Sequence, residues 1–151
     1  MSETLRIERA NESDYSAVVN LLNKTNLPPD DVERHIANFL VIRDPEAVAG
    51  SEFLVGSVGL EIYEDSALLR SLAVHPDFQG KGLGTSLVNG IIEVAKEKGI
   101  NRLFLLTDTA EKFFEKKGFV LVTRDQVPED MKRSVEFTTL CTSSPSMMIE
   151  I

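Results

Sequence analysis

Apolar and charged residues alternate through Leu5-Arg6-Ile7-Glu8-Arg9, the period of a strand with one buried face. The period then changes. After the capping residues Asn11 and Ser13, Tyr15, Val18, Val19 and Leu22 recur as a single helical face. Asn26-Leu27-Pro28-Pro29 breaks that helix, and the prolines suit the entry to a second one, over 30–36, that turns Val32 and Ile36 inward. Two apolar strands follow: Phe39–Arg43, closed by Asp44-Pro45, and Phe53–Tyr63, in which Gly56 and Gly59 predict a bulge or a close backbone approach. Glu64-Asp65-Ser66 turns the chain back into a strand over Ala67–Val74, giving an antiparallel hairpin. A link, His75-Pro76-Asp77-Phe78, and a glycine-rich turn over 79–84 lead into a long helix. Its apolar stripe is Leu83, Leu87, Val88, Ile91, Ile92 and Ala95, with Gly99 as the residue that ends it.

Leu103-Phe104-Leu105-Leu106 is a continuous apolar run, the mark of a strand covered on both faces. A short helix begins at Thr109, carries Phe113 and Phe114, and stops at Gly118. Strands over Phe119–Val122 and Met147–Ile151 flank a short capped helix at Val127–Met131. The order β-α-α-β-β-β-α-β-α-β-(α)-β predicts an α/β fold: a mixed sheet of about seven strands with helices on both faces. Without repeat, linker or low-complexity tract, one domain over residues 1–151 is expected.

Composition removes several function classes. Hydrophobic residues at 42% and charged residues at 26% are ordinary for a globular domain. A net charge of -8 argues against a surface that tracks nucleic-acid phosphates, yet leaves room for a small anion held at a local positive site. The lone cysteine, Cys141, cannot close an internal disulfide and fits a reducing compartment. Residues 1–6 lack the apolar core of a signal peptide, and no apolar run approaches the ~20 residues that span a bilayer. A cytoplasmic protein without a membrane partner, monomeric or homodimeric, is the expectation. His35, His75 and Cys141 are too few for a metal site.

The glycine turn carries the chemistry. Gln79-Gly80-Lys81-Gly82-Leu83-Gly84-Thr85 stands where a strand hands over to a helix, a place suited to presenting backbone N–H groups to an anion. A P-loop would need Lys before Thr85, and a dinucleotide fingerprint would need glycine at 85. A ligand-free tight turn is the remaining bland reading. Leu72-Ala73-Val74-His75-Pro76 followed by this turn resembles the acetyl-CoA signature of the GNAT N-acetyltransferases, whose element order matches essentially the whole chain. The resemblance implies the GNAT acyl-CoA N-acyltransferase fold and acetyl-CoA as cosubstrate. In it the backbone of Leu72, Ala73 and Val74 pairs with the pantetheine arm. The amides of Gly80, Lys81, Gly82, Leu83, Gly84 and Thr85 hold the pyrophosphate, and Gln79 also belongs to the cofactor-binding segment. Phe113 and Phe114 serve core and cofactor packing.

A finer resemblance runs through Leu69–Val74, Arg102–Thr107, Phe113–Phe119, Val127-Pro128-Glu129 and Glu136–Cys141. These segments are similar to the acetyltransferase domain of N-acetylglutamate synthases and, more closely, to small arsenic-resistance N-acetyltransferases. The implied reaction moves acetyl from acetyl-CoA to the primary amine of a small amino-acid-like acceptor, by direct attack in a ternary complex. The rivals are a protein N-terminal or side-chain acetyltransferase and a non-catalytic acyl-CoA sensor. Glutamate-making relatives carry basic residues before their last strand, whereas residues 142–146 here hold none.

Catalytic groups are less legible. Many relatives place an acidic tyrosine where this chain has Phe114, leaving Tyr63 or a water for that role. Glu61 and Glu64 are each either a base acting through water or a solvated carboxylate. The backbone N–H near Leu72 is the candidate for polarising the thioester carbonyl. Arg70 is either the partner of an acceptor carboxylate or half of an ion pair within the chain. Ser71 and Thr107 line the acceptor side or are ordinary strand residues. Cys141 is either a small hydrophobe or a thiolate ligand.

Overall fold

The computed structural model describes residues 5–44, 54–140 and 144–151, and elements below are numbered within those ranges. Seven strands form one sheet in the order β1-β2-β3-β4-β5-β7-β6. They are β1 Arg6–Arg9, β2 Phe39–Arg43, β3 Leu54–Tyr63, β4 Ser66–Val74, β5 Arg102–Leu106, β6 Val120–Val122 and β7 Ser146–Glu150. The helices are α1 Tyr15–Lys24, α2 Val32–His35, α3 Leu83–Glu97 and α4 Glu111–Lys116. The sheet is mixed: β4 runs parallel to β5, while β1–β2, β2–β3, β5–β7 and β6–β7 pair antiparallel. The registered β4–β5 pairs run from Ser66 to Leu68, and β4 continues to Val74.

The chain packs as two compact units, one from residues 1–60 and 71–93, the other from 61–70 and 94–151. In the first, α1 lays Val18, Leu21 and Leu22 against Val32, Ile36, Phe39, Val41, Leu54 and Ala73. The helix begins where the sequence period does, at Tyr15. A short turn over Glu12–Asp14 precedes it, capped by Asn11, whose side chain accepts from Ser13 N. Tyr15 is therefore the first helical residue and is exposed, and Ala17 and Leu21 complete the inward face. Asp31, at a φ of 66°, keeps α2 from starting before Val32. In the second unit, Leu68, Phe104, Val127, Met131 and Phe137 form the core, with Tyr63, Leu106, Val122 and Met148 packed against it. Leu103, Phe104 and Leu105 are all buried, as a strand covered on both faces requires. The expected helix at Val127–Met131 is instead a single turn at Met131–Arg133, followed by a wide turn at Glu136–Leu140. Phe53, Pro45 and Cys141 lie outside the described residues. No helix among the described residues is long and apolar enough to cross a membrane.

Both glycine stops close their helices in the same way. Gly99, at a φ of 79°, donates to Lys96 O, and Ile100 N returns to Ala95 O at 2.9 Å. Gly118, at 101°, donates to Glu115 O, and Phe119 N returns to Phe114 O at 3.1 Å.

The N-terminal turn is tied to β2 by Arg43, whose Nη1 and Nη2 each donate to an Asp14 carboxylate oxygen at 2.8 Å. This fork holds the Asp14 pKa below its ordinary value of 3.8, overcoming the opposing effect of burial. The Arg43 side chain is 35% exposed, so solvent screening limits the pair to about 1–2 kcal/mol. Asp14→Asn should lower the melting temperature by roughly 2–8 °C at neutral pH. Because the folded pKa is depressed, the difference from wild type should be full above 3.8 and disappear as pH falls through the lower folded value. Thermal melts across that range check both the size and the sign.

Candidate functional site

In the first unit, the far end of β4 and the start of α3 meet around a glycine in β3. A Cβ on Gly56 would sit 3.0 Å from Leu87 Cδ1 of α3 and 3.2 Å from the Ala73 carbonyl of β4. The absent side chain lets helix and strand approach closely, which fits the close-approach reading of that residue. Gly59 answers a different need, since its missing Cβ would lie 2.2 Å from the Phe39 ring. Past β4, His75 N donates to Val55 O at 2.7 Å and Phe78 N donates to His75 O at 2.8 Å, closing a short turn with Pro76 at its start. His75 is buried, and its Nδ1 accepts from Asp77 N at 3.1 Å, so in the neutral ring the proton resides on Nε2.

The glycine turn is then built from backbone alone. Gly80 and Gly82 both have a φ of 80°, with open space where a side chain would stand. Gly82 O accepts from Ser86 N at 3.2 Å, the first bond of α3. The N–H groups of Leu83 and Gly84 thus stand in the first turn, whose donors have no acceptor inside a helix. α3 runs for 15 residues and brings the positive end of its dipole to the same place. Gln79 Nε2 donates to Val74 O at 3.0 Å, which fastens the turn to the strand end. Lys81 is exposed, its Nζ 5.6 Å from the Phe78 ring centroid. An anion fits such an arrangement: two left-handed glycines, a helix start and one exposed cation.

Ser71 is the irregular residue of β4. Its φ is 60°, and its carbonyl accepts from the hydroxyl of Ser57, a fully buried β3 residue, at 2.8 Å. The Glu64–Asp65 turn sets Tyr63 against Ser66, and His75 N meets Val55 O. Eight steps along β3 thus match nine along β4, so β4 carries one extra residue, a bulge. Strict alternation along β4 would place Arg70 on one face with Leu72 and Val74, but the irregular residue Ser71 stands between them. Ser57 was not singled out from sequence, although a serine inside an apolar strand is a usable signal.

In the second unit, Glu61, Tyr63 and Arg70 come together. Arg70 Nη1 donates to Glu61 Oε2 at 2.7 Å, and Tyr63 OH donates to Glu61 Oε1 at 2.6 Å. The Arg70 and Glu61 side chains are 0% and 1% exposed. Of the two readings open for Arg70, this geometry is the ion pair within the chain. Phe114 is buried between Phe113 and Phe119, with ring centroids 5.1 and 5.3 Å away. Thr107 Oγ1 accepts from Ala110 N at 3.0 Å and caps the approach to α4. Just before β7, Ser144 Oγ donates to Asp108 Oδ1 at 2.8 Å, and Arg124 Nη2 donates to Ser144 O at 3.2 Å. A basic side chain therefore reaches this segment from elsewhere in the chain.

The sequence pattern of the acetyltransferase (GNAT) family matches residues 7–119. An amino-acid acetyltransferase of Ralstonia nicotianae is 37% identical over 102 residues, 68% of this chain but 22% of that protein. The chain therefore spans about a fifth of that relative's length. Among solved structures, Rv2747 of Mycobacterium tuberculosis, in complex with CoA, superposes with a TM-score of 0.78 at 23% identity, covering 97% of this chain and 99% of that one. N-acetylglutamate synthase of Neisseria gonorrhoeae, complexed with coenzyme A and N-acetyl-glutamate, gives 0.78 at 23% identity over 99% of this chain and 36% of that one.

The buried pair generates its own test. Glu61→Leu strands the Arg70 guanidinium and should cost about 3–5 kcal/mol in urea unfolding, while the Glu61→Leu/Arg70→Met double variant should recover most of that loss.

Proposed function

This chain belongs to the acetyltransferase (GNAT) family, and from that premise we propose that it transfers acetyl from acetyl-CoA to the amine of a small amino-acid-like acceptor. The observation that carries the proposal is the junction of β4 with α3. There a strand end, two left-handed glycines and a helix start are held together by the Gln79 and Gly56 contacts. In this reading the pyrophosphate of the cosubstrate lies against the N–H groups of 80–85. Its pantetheine arm pairs with the backbone of Leu72, Ala73 and Val74 as an added strand would. The amino-acid acceptor is suggested by the names of the relatives.

The neutral amine attacks the thioester carbonyl, forming a C–N bond and a tetrahedral centre whose oxygen takes up charge. The Leu72 N–H donates to that oxygen. Collapse breaks the C–S bond, the amine gives its proton to water, and the thiolate is protonated from solvent. Glu61 already accepts from Arg70 and Tyr63, so its role here is to hold the guanidinium rather than to take the proton. Phe114 offers no donor at the position where many relatives carry a tyrosine.

Thiol release from acetyl-CoA, measured over a panel of amino acids and amino-acid mimics, is the direct test. Turnover confined to one or a few free amino acids is expected. Tight CoA binding with no turnover on any amine would identify a sensor instead. Gly82→Val forces a β-branched residue into a left-handed φ and should weaken CoA binding at least about tenfold by calorimetry. Gly99→Ala, equally left-handed at the other end of α3, should leave the affinity unchanged and so controls for general strain.

A further inference from the structure

We infer that Ser57 is a positioning residue, whose hydroxyl orients the peptide between Ser71 and Leu72 so that the Leu72 N–H faces the reacting carbonyl. The inference rests on the acetyl-transfer reading above. A left-handed conformation at a non-glycine residue costs about 1–3 kcal/mol and persists only where its surroundings hold it. At Ser71, with a φ of 60°, the 2.8 Å bond from Ser57 Oγ is one such hold, and it acts on the carbonyl.

The geometry does more than stabilise the bulge. A peptide unit is planar and trans, so its C=O and N–H point in opposite directions. No cis peptide occurs among the described residues. The Ser57 bond fixes the Ser71 carbonyl toward β3, and the Leu72 N–H must then point away from β3. In a regular antiparallel ladder the N–H groups alternate between the two flanks of a strand. The extra residue at Ser71 breaks that alternation, and Ser57 determines which way it breaks. The hydroxyl is fully buried, so no water replaces it cheaply once it is removed.

The partner residue is also placed to be specific. Ser57 is fully buried in β3, and its hydroxyl reaches the Ser71 carbonyl on the neighbouring strand. Alanine keeps the size of serine without the donor, and threonine keeps the donor. Ser57 therefore touches neither substrate nor cofactor in this scheme; it acts through the Leu72 amide.

The test compares Ser57→Ala with Ser57→Thr, which keeps a hydroxyl donor. Ser57→Ala should lower kcat about tenfold, less than the loss of a whole oxyanion donor, with the acetyl-CoA KM and CoA Kd within twofold of wild type. Ser57→Thr should recover kcat to within about threefold. A second readout does not need turnover: the Leu72 amide resonance in 15N-labelled protein should differ between the CoA and acetyl-CoA complexes. That difference should vanish in Ser57→Ala and return in Ser57→Thr. Wild-type kcat in Ser57→Ala would overturn the inference. So would a joint fall of kcat, CoA affinity and melting temperature in both variants, which is the signature of general packing. If wild type turns over no acceptor, the transfer reading fails, and the Leu72 resonance still decides for or against Ser57.

Discussion

Everything at the open end of the β3–β4 hairpin depends on how closely α3 and β4 approach the backbone of β3 at Gly56. A single Cβ there would stand 3.0 Å from Leu87 Cδ1 and 3.2 Å from the Ala73 carbonyl, so the leucine tip and the strand backbone would have to give by a few tenths of an ångström. That adjustment falls where the helix and the strand end of the proposed cosubstrate site meet. The junction carries three further fastenings. His75 N bonds Val55 O, the Gln79 side chain bonds Val74 O, and Ser57 bonds the Ser71 carbonyl. All of them act on backbone. The site is consequently a matter of where peptide groups point, with side chains serving as struts.

Glycines serve two unlike purposes in this chain. At Gly56 and Gly59 the reason is space, with Leu87 and Phe39 occupying the volume a Cβ would need. At Gly80 and Gly82 space is ample and the reason is conformation, a φ of 80° at each. The two classes predict different consequences of substitution. The first transmits a shift through packing, whereas the second changes the local path of the backbone and leaves the core alone.

Buried polar groups follow a similar division. Asp14 and Arg43 pair near the surface and contribute stability with a definite pH dependence. Glu61, Arg70 and Tyr63 pair in the interior, where removing either charged member costs more than the pair itself contributes. Ser57 is neutral and fully enclosed, and its bond is made to a strained residue. The pairing of Arg124 with Ser144 brings a cation to the segment before β7 that has none of its own, so charge counted along the chain understates charge in space.

From the sequence alone came the order of strands and main helices, the stop glycines at 99 and 118, and the glycine turn between β4 and α3. Each of these depends on local period or on a backbone conformation that few residues adopt. The family followed from the same local motif, Leu72–Val74 with 79–85, and its pattern matches residues 7–119. Other features lay beyond local reading. The partner of Arg70 is nine residues away across a hairpin, the bolt on Ser71 comes from fourteen residues back, and Arg124 meets a residue twenty positions on. The bulge itself is invisible in the alternation of β4, because one extra residue changes register without changing composition. Period and propensity are properties of neighbours along the chain, whereas register, pairing and the direction of a peptide are set by what another strand supplies. Tertiary structure alone decided those.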